Sequence, residues 1–221
     1  DTVKVLEGLL GRCGGFGTQL LRNTHRGPGA TRNAGVNAAS GEWIAFLDSD
    51  DLWKPTKLEK VTRAIGENPE SNFICHSEER WKLDGSKGLL ENFGSKYREG
   101  IPLPLQLWRN CLFHTSSVVC RKDLLLDGGL FDETLPSGQD WELWLRLSPH
   151  IDLHYIPEVL GYYVERSGNI TFTKSLRGLR DDVRIVTMHR RNAGVSLGEY
   201  ILRVARNTAG SLRLEISKKL Q

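Results

Sequence analysis

No stretch of this chain approaches the roughly 18 consecutive apolar residues that a membrane-spanning helix needs, so no spanning segment is expected. The first residues carry no signal-peptide pattern. Cysteine is scarce and unpatterned. Cys13, Cys75, Cys111 and Cys120 show no paired spacing, and Cys111, His114 and Cys120 lack a fourth ligand at zinc-like spacing. Buried thiols in a reducing compartment are therefore expected. Gly14-Gly-Phe-Gly17 lacks the third glycine of a dinucleotide-binding turn and follows no convincing strand, which argues against a Rossmann site. No serine or cysteine stands in the surroundings of a catalytic nucleophile, and no internal repeat is present.

What is present suits a globular protein. The 221 residues are 39% hydrophobic and 26% charged, enough for one domain with an appendage. The net charge of +3 conceals an asymmetry: residues 166–221 hold 12 basic and 4 acidic residues, while residues 1–165 are net acidic. Two units are expected, residues 1–165 and a basic helical extension over 166–221. In the extension Ile201, Ala205, Ala209, Leu212 and Ile216 recur at helical spacing. That stripe can pack on the domain, or rest on an anionic membrane with Arg203, Arg206 and Arg213 on the remaining surface.

The most informative junction lies where the apolar strand Trp43-Ile-Ala-Phe-Leu47 runs into Asp48-Ser-Asp50-Asp51. Open α/β sheets bind ligands at the carboxyl ends of their strands. Residues i and i+2 of an extended segment face the same way, so Asp48 and Asp50 can share one cation; a solvated, helix-capping turn is the other reading. Upstream, Gly27-Pro-Gly29 reads as a loop entering an alanine-rich helix that ends at Ser40-Gly41. Thr18–Arg22 reads as a short strand. Pro55 opens a helix with Leu58, Val61 and Ile65 on one face. Phe73–His76 and Arg80–Leu83 read as a hairpin-like pair at Asp84-Gly85, and residues 85–100 as a mobile loop. A helix over Leu103–Asn110, a strand over Ser116–Cys120, a helix over Asp140–Leu147 and strands over Ile151–Ile156 and Val159–Val164 complete the alternation.

The run GPGATRNAGVNAASGEWIAFLDSDDLWKPTKL resembles the central signature of family 2 glycosyltransferases of the GT-A fold, and the likeness continues through Gly129-Leu-Phe-Asp-Glu133 and Ser137-Gly-Gln-Asp-Trp-Glu-Leu-Trp-Leu-Arg146. The fold it implies is an α/β/α sandwich with a mixed, mainly parallel sheet. Asp1–Glu7 reads like the helix after that family's second strand, so the chain is expected to lack the first two strands. By resemblance, Asp50 is the direct ligand of Mg2+ or Mn2+, with Asp48 near the metal and ribose. Asp51 caps the next helix. Arg32 and Asn33 fall in the donor-binding segment, and Asp140 is the base that activates an acceptor hydroxyl. Ser137-x-x-Asp140 also fits a capping box, a role compatible with the first. Gln139 is an expected acceptor contact, and Trp141 either stacks on a sugar or fills the core.

The function implied is metal-dependent, inverting transfer of a sugar from a nucleotide-diphosphate donor to a glycan or lipid-linked acceptor, in glycan or polysaccharide biosynthesis. A non-catalytic sugar-nucleotide or glycan-binding remnant is the alternative. The expected place is the cytoplasm, with the basic tail able to hold the chain at the inner face of a membrane. No nucleic-acid partner is expected.

Overall fold

The computed structural model describes residues 2–10, 17–82, 87–91, 96–98, 100–165 and 176–219. Helix α1 (Thr2–Leu10) comes first; residues 17–26 form neither helix nor strand, without the strand expected at Thr18–Arg22, and α2 (Gly27–Ala38) follows. Glycine 27 and Pro28 belong to α2 rather than to a loop, with proline in the first turn, where its missing N–H costs nothing. Strand β1 (Trp43–Ala45) follows, then the acidic turn, β2 (Leu52–Trp53), α3 (Lys57–Glu67), β3 (Phe73–Lys82), β4 (Lys87–Glu91) and α4 (Leu103–Arg109). A 3-10 turn at Thr115–Ser117 enters β5 (Val118–Arg121), followed by α5 (Lys122–Asp127), α6 (Gln139–Leu147), β6 (Leu153–Glu165), α7 (Leu176–His189) and α8 (Leu197–Lys219).

The sheet is mixed, in the order β1-β5-β3-β6-β2, with β4 on the far half of β3. It is not mainly parallel: among the described residues only β3 and β6 run parallel, and the other four pairings are antiparallel. Alternation of strand and helix does not decide from which end a strand is entered. Because Thr115–Ser117 lies beside the end of β1, β5 starts there and runs back, with Ala45 opposite Val119. The two short strands expected near the Asp84-Gly85 turn merge into one ten-residue β3, whose hairpin partner β4 falls inside the expected loop. The last two expected strands likewise merge into β6, with register shifts near Ile156–Val159.

The main core lies between the sheet and α4, α6 and α7. Phe46, Phe73, Phe131 and Trp144 meet at 5.3–6.2 Å in edge contacts, a geometry aromatic quadrupoles favour. The basic extension contributes Ile185, Val186, Ala193 and Val195 to that same core. Trp108 donates its indole N–H to Val186 O at 2.8 Å, and His189 bonds Glu142 at 3.0 Å. On α8 the packed residues are Tyr200 and Val204, whereas Leu197, Ile201 and Leu202 are exposed. Arg203 is not a surface cation: it bonds Trp108 O and stacks over Trp108 and Trp141 at 4.7 and 5.1 Å. No helix among the described residues is long and apolar enough to cross a membrane. Cys75 and Cys120 are buried free thiols as expected; Cys111 is exposed.

Candidate active site

The acidic turn crosses the molecule. Strands β1 and β2 lie at opposite edges of the sheet, so Asp48–Asp51 spans the top of the strands between them. The turn closes with Asp51 N–H donating to Asp48 O at 3.1 Å. Asp48 is half-buried and held by Arg32, whose Nη2 reaches both carboxylate oxygens at 2.7 and 2.8 Å and whose Nε reaches one at 3.2 Å. Such bidentate pairs are short and directional. Arg32 also lies over the Phe131 ring at 5.4 Å, and its buried Nη1 has no partner among the described residues. Asp50 is half-buried, and among the described residues its carboxylate takes part in no ion pair or hydrogen bond.

Asp51 departs from expectation. It is 8% exposed and accepts the Val164 N–H at 3.1 Å, so it ties the turn to β6 instead of capping α3. Burial pushes its carboxyl up to about 6 against hydrogen bonds from Ser116 and Val164. Lys57 lies beneath it, fully buried, its ammonium donating to Ser116 O at 2.7 Å and set 4.0 Å over the Trp53 ring. Burial lowers that ammonium to about 7, and the neighbouring Glu78 and Asp51 charges favour its charged form. The buried face of α3 is thus Lys57, Val61 and Ala64; of the expected stripe Val61 is buried and Ile65 packs beside it, but Leu58 is exposed. Glu78 and His76, from the middle of β3, complete this polar layer. A Cβ on Gly161 would stand 3.2 Å from both Glu78 Oε1 and Leu52 O, so a side chain here would require these neighbours to give by a few tenths of an ångström.

The second carboxylate block begins at Gly138, the N-cap of α6, whose φ of +69° suits glycine. Ser137 forms no capping box; its hydroxyl donates to Asp181 at 2.7 Å. Asp140, half-buried in the first turn of α6, accepts the Trp141 N–H at 2.8 Å and the Thr115 hydroxyl at 3.2 Å. Its neighbours turn inward. Gln139 is 5% exposed, within 3.6 Å of where a Cβ on Gly29 of α2 would stand. Trp141 is a core residue rather than an open sugar platform, 6% exposed with its indole N–H on Leu107 O at 2.7 Å. Asn33 is likewise committed to structure, donating to Phe131 O and Glu133 at 3.0 Å and accepting Phe131 N–H at 2.9 Å.

The structure therefore brings Arg32, Asp48 and Asp50 together, and the 114–117 turn bonded to both blocks links them to Asp140. Asn33, Gln139 and Trp141 form the packing behind them. Thr115, Ser116, Lys57 and Glu78 were missed from sequence. The available signals were three hydroxyl residues before an apolar strand, and a lysine four and seven residues before Val61 and Ala64.

Residues 1–125 match the model of "Glycosyl transferase family 2". The chain belongs to this family. An uncharacterized glycosyltransferase of Haemophilus influenzae is 29% identical over 76% of this chain and 59% of its own length. Succinoglycan biosynthesis protein ExoO of Rhizobium meliloti is 57% identical over 56% of this chain and 38% of its own. Among solved structures, S. aureus TarS 1–349 in complex with UDP-GlcNAc superposes with a TM-score of 0.65 at 19% identity, covering 94% of this chain and 59% of that one. The likeness in fold extends beyond the sheet into the helical C-terminal part. The chain spans 22% to 59% of the length of the first curated relatives it matches.

Proposed function

We propose that this chain transfers a sugar from a nucleoside-diphosphate donor to an acceptor hydroxyl in glycan or polysaccharide biosynthesis. The observation that carries the reading is the pairing of a clamped Asp48 and an unengaged Asp50 with Asp140, across one rigid turn. In an in-line displacement Asp140 takes the acceptor proton, the acceptor oxygen bonds the anomeric carbon, and the carbon–oxygen bond to the diphosphate breaks with its electron pair on the phosphate. The anomeric centre inverts. Arg32 orients Asp48 through a bidentate pair.

Two hard carboxylate donors suit Mg2+ or Mn2+, which take one or two protein carboxylates and complete their shell with phosphate and water. Asp50 would be the direct ligand and Asp48 the nearer support, since Arg32 already engages both Asp48 oxygens. Among the described residues no three His, Cys, Asp or Glu side chains converge. When bound, the ion would supply charge neutralisation on the departing diphosphate.

UDP-GlcNAc in TarS and the succinoglycan role of ExoO support a nucleotide-sugar donor and a polysaccharide product. The exposed Leu197, Ile201 and Leu202 on α8, near exposed Arg206, support a lipid-linked acceptor approached at the inner face of a membrane. Release of UDP from a panel of UDP-sugars, with and without Mn2+ and with glycan or lipid-linked acceptors, tests the assignment. Metal-stimulated, acceptor-dependent release is expected; tight UDP binding without turnover would favour a glycan- or nucleotide-binding remnant.

A further inference from the structure

Between β4 and β5 the chain passes through His114-Thr-Ser-Ser117, where Thr115, Ser116 and Ser117 are only 3%, 1% and 4% exposed. Burying polar side chains in succession is unfavourable unless each finds a partner. Each does. The Ser116 hydroxyl accepts the backbone N–H of Asp48 at 3.0 Å and favours the charged form of the Asp51 carboxyl. Its carbonyl accepts Lys57 Nζ at 2.7 Å and Trp53 Nε1 at 3.1 Å. The Thr115 hydroxyl donates to Asp140 at 3.2 Å, His114 Nδ1 lies 2.9 Å from Glu78 Oε2, and Ser117 closes the turn on His114 O at 2.8 Å.

One short turn is therefore bonded to the backbone of the donor-side acidic turn, at Asp48, through one residue and to the candidate base through the next. We infer that Thr115 and Ser116 are positioning residues that set the separation between the Asp48–Asp50 turn and Asp140, with buried Lys57 anchoring the turn from below. Ser116 serves the donor side and Thr115 the acceptor side. Neither touches a reacting atom. Their importance follows from the steep dependence of displacement on geometry, where a misplacement of about 1 Å can cost on the order of 100-fold. The inference rests on the donor and base roles proposed above.

The two halves separate in the test. Ser116→Ala is expected to weaken Mn2+-dependent UDP binding by calorimetry about ten-fold, the equivalent of one buried hydrogen bond, with a smaller change in kcat at saturating donor. Thr115→Val is expected to lower kcat about ten-fold with UDP affinity unchanged, and Thr115→Ser to restore it. Thermal midpoints report any loss of fold, and Ser116→Cys, closer in size and weakly hydrogen-bonding, stands in if Ser116→Ala unfolds. A lowered midpoint with wild-type UDP affinity and wild-type kcat in both variants would overturn the inference and leave the proposed function intact. Failure of the wild-type chain to bind UDP with either metal would overturn the donor reading, and this inference with it.

Discussion

Asp48-Ser-Asp50-Asp51 and Gln139-Asp140-Trp141-Glu142 look alike as sequence, each a short acidic block beside tryptophan, but their members divide in the fold. Asp48, Asp50 and Asp140 remain half-exposed at one end of the molecule, whereas Asp51 and Glu142 are 8% and 1% exposed and hold structure together. The buried pair are held in opposite ways. Asp51 is pushed up to about 6, chiefly by burial. Burial would also raise Glu142, but hydrogen bonds from His189 and Arg146 outweigh it and hold the carboxyl at about 2. A carboxylate satisfied by an arginine and a histidine ties α6 to α7; one beneath an open turn stays poorly compensated. Adjacency in sequence thus says little about role, and exposure together with partners says much.

The sharpest way to break this division is Asp140→Asn, which keeps size and much of the helix-start hydrogen bonding but cannot accept a proton. Transfer should fall by about 100-fold or more with UDP affinity nearly unchanged. A variant that transfers normally yet melts earlier would place Asp140 with the structural carboxylates.

A smaller effect probes the polar layer under the first block. Burial, helped by the nearby Lys57 charge, lowers the His76 imidazole from 6.5 to about 3. Below pH 6.5 the unfolded chain therefore binds a proton at His76 that the folded chain refuses, so the His76 contribution to stability falls as pH falls, by about 2 kcal/mol between pH 6.5 and about pH 5, against the opposite contribution of Asp51. His76→Gln should flatten that slope in urea melts across the window. An unchanged slope would mean that His76 is protonated in the fold.

The smallest effect concerns the second block. Trp141→Phe removes the hydrogen bond to Leu107 and part of the stacking with Arg203, so a loss of about 1–2 kcal/mol is expected with donor and acceptor KM unchanged. A raised acceptor KM at unchanged stability would return Trp141 to the site.

Much of this was legible in the chain because local rules coincide with the fold there. The apolar run before Asp48 does hold a strand, although only over Trp43–Ala45, α6 starts within one residue of its expected position, and the helical character of residues 176–189 and 197–219 follows from periodicity. Direction and partnership were not legible. Strand polarity depends on where β5 re-enters beside β1, which no local pattern encodes. Ile201, Ala205 and Ala209 of the expected α8 stripe are exposed, while Arg203, charged and therefore read as exposed, is held in place by two tryptophan rings far away in sequence. Lys57 was hidden for the same reason: a lysine at the start of an amphipathic helix reads as solvated until Ser116, Trp53 and Glu78 surround it.

The most direct test of the account is a calorimetric titration of UDP into wild type and Asp50→Ala, each with and without Mn2+. Asp50 is the carboxylate that the fold leaves unengaged beside the clamped Asp48, so wild-type binding should require the metal, and Asp50→Ala should lose that requirement together with most of the affinity while melting at the wild-type temperature. Equal, metal-dependent affinities in the two proteins would contradict it.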